Sequence, residues 1–441
     1  MKSHLLIGAT SSGSGKTTFT LGLLRALKNR SLQVQPYKCG PDYIDTQHHK
    51  MAAGCPSVNL DGFMMSDGHI KELYTRYSFH ADVAVTEGVM GLFDGSDRMK
   101  GSSAEIAHLL DIPVILIVNA KSTAYSAAAI LYGFKHFYKG VRIVGVIFNM
   151  VASEGHYEYL KHACEDAGVE ALGYLPKQSD VEIPSRHLGL TLDDNFCFET
   201  FADRIANLVE DFVDIDRLLE ITACSIPSEI TQAKDTSCTN KNFRIAIAKD
   251  AAFNFMYEEN LRFLHRMGTV TYFSPLKETA IPKADFVYLP GGYPELYLGQ
   301  LSDNRSMLES VKQYVEAGGK LLAECGGMMY LGNEITGTDG KPYPMAGILN
   351  QSATMENMKL TLGYRTLIYD NYELKGHEFH YSRILPQKNP IPSIAKAYTA
   401  KGRKIDTPLY SYKNMLAGYT HLYWGDPSLN NWFINFLKNK L

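Results

Sequence analysis

The chain has 441 residues, and at roughly 150 residues per domain that makes two or three domains. Hydrophobic residues supply 45% and charged residues 21%, a globular composition that excludes a disordered, collagen-like or disulfide-stapled chain. A formal net charge of −3 counts against a general nucleic-acid binder, which needs an excess of phosphate-neutralising side chains.

From the N-terminus, short β-rich apolar runs alternate with amphipathic stretches. Strands are expected at His4–Ala9, Gln33–Lys38, Ala81–Thr86, Pro113–Val118 and Arg142–Asn149, with helices at Thr17–Leu27 and Ser122–Phe137. Runs as apolar as Val114-Ile115-Leu116-Ile117-Val118 fit a parallel sheet covered by helices on both faces. Between Ser225 and Asn242 the chain turns to Ser, Thr, Lys and Asn without period, which reads as an exposed linker between domains at 1–224 and 243–441. A second alternation follows, with strands expected at Arg244–Ala248, Val270–Phe273, Phe286–Leu289 and Lys320–Ala323 and helices around Tyr257–His265 and Ser306–Ala317. The opening apolar stretch through Leu5 and Leu6 is too short for a signal-peptide core, and no run approaches ~18 continuous apolar residues. No membrane association is expected, and the location expected is cytoplasmic, where the seven scattered cysteines stay reduced.

The first strand empties into Ala9-Thr10-Ser11-Ser12-Gly13-Ser14-Gly15-Lys16-Thr17-Thr18. A loop of this form wraps phosphates in backbone N–H groups, offers a lysine to the β- and γ-phosphates and a hydroxyl to magnesium, and leads into a helix N-terminus. Thr10 stands in the strict place of the first glycine, with Gly8 two residues earlier; the rest of the pattern is intact. A magnesium–triphosphate site needs further oxygen ligands. Glu87, at the end of the Ala81–Thr86 strand, and Asp42 and Asp45, after the second strand, should open onto the same sheet edge, where α/β folds bind ligands. Taken singly, each acid reads more readily as a solvated loop carboxylate than as a ligand; their convergence on one edge favours function.

Cys325 differs from the other six cysteines, whose default is a small buried hydrophobe. The strand Lys320–Ala323 runs into Glu324-Cys325-Gly326-Gly327-Met328, a strand, a sharp turn and a helix with the nucleophile on the turn. That geometry exposes the side chain, frees the next N–H for an oxyanion, and through the helix N-terminus should favour a thiolate. The base expected is a histidine near in space. His421, in Tyr419-Thr420-His421-Leu422, is the best placed; His377 and His380 compete, and spacing does not choose among them. Gly291-Gly292, after another strand, offers a second oxyanion donor.

Together these segments resemble one family, the cobyrinate a,c-diamide synthases, glutamine-dependent enzymes of cobalamin biosynthesis. The likeness runs in order through the lysine loop, Lys38–Asp45, Glu87-Gly88-Val89-Met90-Gly91-Leu92-Phe93-Asp94-Gly95, Leu175-Pro176, Arg186-His187-Leu188-Gly189-Leu190 and Asp250–Phe253. It continues through Gly291-Gly292-Tyr293-Pro294-Glu295, Glu324–Met328, Gly376–Ser382 and Tyr419–Leu422. The resemblance implies a dethiobiotin-synthetase-like P-loop domain joined to a flavodoxin-like class I glutamine amidotransferase domain. It implies that Cys325 and His421 release ammonia from glutamine, with Gly292 and Gly326 holding the oxyanion. ATP with magnesium then activates a corrin carboxylate as an acyl phosphate, which ammonia converts to an amide at the a and c side chains. By position, Gly13, Gly15, Lys16, Thr17 and Thr18 bind ATP, and Thr17, Glu87 and Asp42 hold magnesium. Asp42, Tyr43, Asp45 and Asp94 match family positions tied to substrate binding or to the order of the two amidations.

The partners implied are small molecules (a tetrapyrrole polycarboxylate, glutamine and ATP), and homodimer formation is left open. Two departures stand out: Ala9 replaces a usual glycine at the loop entrance, and Tyr423 replaces the glutamate that often completes a triad. The alternatives are cobyric acid synthase, a,c-diamidation of hydrogenobyrinate or nickel-sirohydrochlorin, and, in a different class, a non-catalytic nucleotide-dependent regulator. Lys38–Asp45 fits the a,c-diamide enzyme better, and the presence of both Cys325 and His421 argues against a regulator.

Overall fold

The structure, a computed structural model, describes residues 2–177, 197–225, 243–386 and 388–438. The motif Arg186–Leu190, Cys238 and linker positions 226–242 lie outside the described residues. The chain divides into two compact units, 1–232 and 233–441.

The first unit runs β1 (Lys2–Ala9), α1 (Lys16–Asn29), β2 (Val34–Cys39), α2 (Ile44–Ala53), β3 (Val58–Leu60) and α3 (Asp67–Ser78). It continues through β4 (Val83–Glu87), α4 (Ser103–Leu110), β5 (Val114–Asn119), α5 (Ala127–Phe137), β6 (Ile143–Val151) and α6 (Glu154–Ala167). It closes with β7 (Glu170–Pro176), α7 (Phe198–Phe212), α8 (Ile215–Ile221) and β8 (Ala223–Cys224). The sheet order is β3-β2-β4-β1-β5-β6-β7, all parallel, with β8 pairing antiparallel to the start of β1. Parallel neighbours need crossovers, and the helices that supply them cover the sheet, so Ile115, Leu116 and Ile117 of β5 are wholly buried. The expected strands are found within two residues of their expected ends. The helix expected from Ser122 starts only at Ala127, because Ser122 takes a left-handed φ of 59° and residues 120–127 close as successive turns. Ala9 sits inside β1, where a glycine's freedom is not needed.

The second unit begins with β9 (Phe243–Ala248), α9 (Glu258–Met267), β10 (Gly268–Phe273), β11 (Phe286–Leu289), α10 (Leu298–Asp303), α11 (Arg305–Glu316), β12 (Lys320–Glu324) and α12 (Gly326–Tyr330). Short strands follow: β13 (Glu334–Thr336), β14 (Pro342–Pro344), β15 (Ser352–Thr354), β16 (Thr361–Tyr369), β17 (Tyr372–His380) and β18 (Arg383–Ile384). The last elements are β19 (Lys396–Thr399), β20 (Lys404–Ile405), β21 (Leu409–Tyr412), β22 (Met415–Gly418), β23 (His421–Leu422) and α13 (Asn431–Lys438). The main sheet, β10-β9-β11-β12-β22-β21, is parallel except for its edge hairpin β21–β22. Beside it stand a four-stranded sheet and the five-stranded sheet β20-β19-β16-β17-β23. The hairpin β16–β17 turns on Asp370-Asn371, both at positive φ (46° and 64°), the conformation a two-residue hairpin turn demands. No helix among the described residues is long and apolar enough to cross a membrane.

In the first unit α1 meets α7 at Gly22, where a Cβ would lie 2.3 Å from Ile205 Cγ2 and 2.8 Å from Val209 Cγ2. Both neighbours are β-branched and stiff. Overpacking costs about 1–3 kcal/mol, against about 1 kcal/mol gained in helix propensity. Gly22→Ala should therefore lower the first unit's urea midpoint despite its better helix former; an unchanged or raised midpoint would show that the α1–α7 seam has room.

Candidate functional site

The first cluster is built at the carboxyl ends of β1, β2, β4 and β6. The loop between β1 and α1 turns on Gly13 (φ 75°) and Gly15 (φ 96°). A Cβ on Gly15 would fall 2.0 Å from Asn149 Nδ2. Asn149, near the end of β6, uses that nitrogen to donate to the Ser14 carbonyl at 3.0 Å and so fixes the loop from above. No side chain caps α1 and no acid occupies its first turn, so its N-terminal N–H groups and dipole remain to serve an anion. Lys16 Nζ donates to the Met90 carbonyl. Burial lowers the Lys16 pKa, against the pull of Glu87.

Beneath the loop lies a buried charge cluster. Glu87 Oε1 accepts from Thr17 Oγ1 at 2.7 Å and from Lys38 Nζ at 2.8 Å, while Oε2 lies 2.6 Å from His49 Nε2. Lys38 also reaches Asp45 Oδ2 at 2.9 Å and donates to the Gly88 carbonyl at 3.1 Å. Burial works to raise the Glu87 carboxyl, but Lys38 and His49 outweigh it and hold the group well below its usual range. Burial likewise works to lower the Lys38 pKa, and Asp45 and Glu87 together raise it instead. The pair is charged because each partner is present.

A cavity of about 520 Å³ is lined by Gly13, Gly15, Lys16, Thr17, Thr18, Asp42, Asp45 and Glu87, with Lys38, Asn149, Leu175 and Pro176 also on its walls. Tyr43 and Asp94 are not on that lining. Tyr43 is buried, and Asp94 Oδ2 accepts the Gly91 N–H at 3.0 Å, bracing the loop that carries Met90. Asp42 Oδ1 accepts the N–H groups of Ile44 and Asp45 at 2.9 and 2.8 Å, so one of its oxygens caps α2. In the sequence Lys38 stands out only as part of the Lys38–Asp45 motif. His49 carried no signal at all, since a histidine mid-helix shows nothing of the carboxylate it will meet. Thr17 and Glu87 present adjacent hard oxygen donors beside the phosphate loop, which suits magnesium. Among the described residues no group of three or more His, Cys, Asp or Glu could hold a metal, so such an ion would take its other ligands from phosphate and water.

The second cluster lies at the ends of β11 and β12. Cys325 sits at φ 48°, ψ −109°, a strained conformation for a residue with a side chain. Both glycine turns are closely packed: a Cβ on Gly326 would lie 2.6 Å from Pro294 Cδ of the ring, and one on Gly292 (φ 156°) 2.1 Å from the Ala252 carbonyl oxygen. Cys325 Sγ faces the Phe379 carbonyl of β17 at 3.7 Å. The expected thiolate is not what this setting favours. Burial pushes the thiol pKa well up, and Glu295, Glu378 and Glu324 add to the rise, overriding a helix of only five residues. A base is needed.

All three candidate histidines converge. His377 and His421 are register partners across β17–β23. His380 is stacked on Tyr419 at 3.7 Å, with Nδ1 2.9 Å from the Ser382 carbonyl. His377 meets Tyr364 edge-on at 5.4 Å. His421 instead lies against the glycine turn opposite Cys325: a Cβ on Gly291 would be 2.1 Å from its Cε1. Tyr423 turns away to pack on the Tyr257 ring at 5.4 Å. Two carboxyls flank the His421 backbone. Glu378 Oε1 accepts from Thr420 Oγ1 at 3.3 Å, and Glu324 Oε1 accepts the Leu422 N–H at 2.9 Å.

The family model described as CobB/CobQ-like glutamine amidotransferase domain matches residues 244–428, and that of the CobQ/CobB/MinD/ParA nucleotide binding domain matches residues 5–190. The cobyrinate a,c-diamide synthase of Listeria innocua is 40% identical over 434 residues, 95% of this chain and 96% of its own. The protein of the same name from Picrophilus torridus is 40% identical over 451 residues, covering 99% of each chain. The chain belongs to the cobyrinate a,c-diamide synthase family. The Cys325 cluster thus falls in a glutamine amidotransferase domain and the Lys16 cluster in a nucleotide-binding one. In this family the two serve glutamine-dependent amidation, so the chain is an amide-forming ligase and not a regulator.

Burial lowers His377 to about 3, His380 to about 4 and His421 to about 3. With folded values below the free imidazole's ~6.5, each contributes stability that is present above pH ~6.5 and lost as pH falls toward the folded value, about 1.4 kcal/mol per pH unit. Glu324, pushed up to about 8 by burial, acts in the opposite sense, so a difference between variants is the clean measurement. The stability of the wild type relative to His377→Gln should fall by about 1 kcal/mol per pH unit between pH 6 and 5 in urea titrations. A constant difference would mean that His377 is not held neutral.

Proposed function

We propose that the chain amidates the a and c acetate carboxylates of cobyrinate with ATP and with ammonia drawn from glutamine, working in the cytoplasm. The observation that carries the reading is the strained Cys325 elbow, set against the Gly291-Gly292 turn and His421. It stands in a chain whose relatives bear that activity's name along nearly their whole length. On this reading the working halves are 1–224 and 243–441, joined through 225–242.

Cys325 Sγ adds to the glutamine amide carbon while its proton passes to His421. The N–H groups of Gly292 and Gly326 hold the resulting oxyanion. The carbon–nitrogen bond breaks as His421 returns the proton to nitrogen, leaving a glutamyl thioester that water hydrolyses. A neutral base suits this step, because the thiol is protonated at rest.

In the other half, Gly13, Gly15, Lys16 and Thr18 hold the triphosphate. Thr17 and Glu87 would hold a magnesium ion, with the outer oxygen of Asp42 at the cavity wall; the ion would neutralise phosphate charge. The substrate carboxylate attacks the γ-phosphorus, ADP leaves, and ammonia displaces phosphate from the acyl phosphate. Asp45 acts with Lys38, and Tyr43 and Asp94 shape the loops that meet the macrocycle. Glutamine, ATP and the tetrapyrrole polycarboxylate are the partners.

Cys325→Ala should lose glutamine-dependent amidation by roughly 10⁴-fold or more, as loss of a nucleophile does, while amidation from added ammonia persists. Lys16→Ala should weaken both by about 10²–10³-fold. Mass spectra of cobyrinate incubated with ATP and either nitrogen source read both outcomes. Undiminished glutamine-dependent product from Cys325→Ala would remove Cys325 from the reaction, and unchanged cobyrinate with the wild type would remove cobyrinate as substrate.

A further inference from the structure

We infer that Glu324 is a positioning residue that sets the His421 base against the Cys325 nucleophile by holding the Leu422 N–H. The inference rests on the proposed pairing of Cys325 with His421. The two groups ride on different sheets: Cys325 directly follows β12 of the main sheet, whereas His421 opens β23 of the five-stranded one. Their separation is therefore set by whatever ties the sheets together at that point. Glu324 is adjacent in sequence to the nucleophile, and the N–H it accepts, at 2.9 Å, belongs to the residue directly after the base.

The other ties are of a different kind: Cys325 Sγ donates to the Phe379 carbonyl at 3.7 Å, which joins the nucleophile to β17 of the base's sheet but not to the base's strand. The Leu422 carbonyl accepts from Asn260 Nδ2 at 2.9 Å, which joins β23 to α9. Pairing with β17 at Gly376 and His377 keeps β23 within its own sheet. The Cys325 N–H donates to the Gly418 carbonyl at 2.7 Å, which fixes the elbow on β22 but stops short of the bend at Tyr419-Thr420 that leads to His421. Glu324 alone among these joins the nucleophile's own strand to the base's own strand.

Its second oxygen explains how the carboxyl is aimed. Tyr288 of β11 donates its hydroxyl to Glu324 Oε2 at 2.6 Å, and the Tyr288 ring is itself wedged against Trp424 at 5.3 Å. Glu324 is 2% exposed, and the two groups that donate to it, the Tyr288 hydroxyl and the Leu422 N–H, are neutral, an expensive place for a carboxyl if an apolar side chain would do as well. With both oxygens engaged it is not poised to take the Cys325 proton itself. It acts through geometry, and a displacement of about 1 Å between reacting groups is enough to lose about 10²-fold in rate.

The test uses the full chain and compares glutamine-driven with ammonia-driven amidation. Glu324→Met keeps the volume and removes both acceptors; Glu324→Gln keeps an oxygen for the Leu422 N–H. The expected result for Glu324→Met is a fall of about 10²-fold in kcat with glutamine, little change in KM for glutamine, and an ammonia-driven rate like the wild type's. Glu324→Gln should recover most of the loss. If the orphaned tyrosine hydroxyl prevents Glu324→Met from folding, Tyr288→Phe/Glu324→Met removes it and should give the same kinetic pattern. A wild-type glutamine rate in Glu324→Met, a parallel fall with ammonia, or no recovery in Glu324→Gln would overturn the role. Cys325→Ala run alongside separates the two readings. If it keeps the glutamine rate, the Cys325–His421 pairing falls and this role with it. If it is inactive with glutamine while Glu324→Met is not impaired, only the role of Glu324 falls.

Discussion

Parallel strand pairing is the constraint on which the rest of this structure depends. Parallel neighbours cannot be joined by a tight turn, so each strand returns through a crossover and all strand ends of one polarity collect at one edge. In the first unit that edge gathers the turn after β1, the Asp42 cap after β2, Glu87 at the end of β4 and Asn149 near the end of β6. In the second it gathers Gly291-Gly292 after β11 and Cys325 after β12. Each site is assembled from segments far apart in the chain because the topology brings their ends together.

The two sites use that edge differently. The first is electrostatic: Lys38 is shared between Glu87 and Asp45, and His49 holds the far oxygen of Glu87. Removing one member of such a buried set leaves an uncompensated charge, which is worth several kcal/mol and explains why all are present together. The second is steric. The His421 ring at Gly291, the Ala252 carbonyl at Gly292 and the Pro294 ring at Gly326 approach so closely that no side chain fits, and Cys325 itself holds a strained backbone conformation. Burial pushes the Cys325 thiol up and the His421 imidazole down, while Glu378 nearby is ion-paired with Arg365 at 2.8 Å. The cysteine therefore stays a thiol and the histidine a neutral base, the state in which a proton can pass from one to the other.

Some of this was legible in residue order and some was not. The parallel strands of both units could be read because buried β-branched runs such as Val114–Val118 carry their own signal. The five-stranded sheet was not read. Its β20 and β23 are two residues each, too short for alternation to register, and the long hairpin β16–β17 turns on Asp370-Asn371 without a glycine to mark it. Gly13, Gly15, Lys16, Thr17 and Cys325 could be picked out because their chemistry depends on neighbours in sequence. His421 was the best placed in residue order, but spacing could not separate it from His377 and His380, since all three come together in one cluster.

By itself, then, the sequence determined the two-part α/β plan, the phosphate loop and the cysteine elbow, which follow from local pattern and nearest-neighbour backbone geometry. Only the tertiary structure decided that Lys38 and His49 flank Glu87, that Asn149 packs on Gly15, and that Glu324 bridges the strands of Cys325 and His421. It also decided that burial pushes the Cys325 thiol up, against the local expectation of a thiolate. The reason is the same in each case: burial and long-range hydrogen bonding depend on which strands become neighbours, and that depends on the packing of the whole unit.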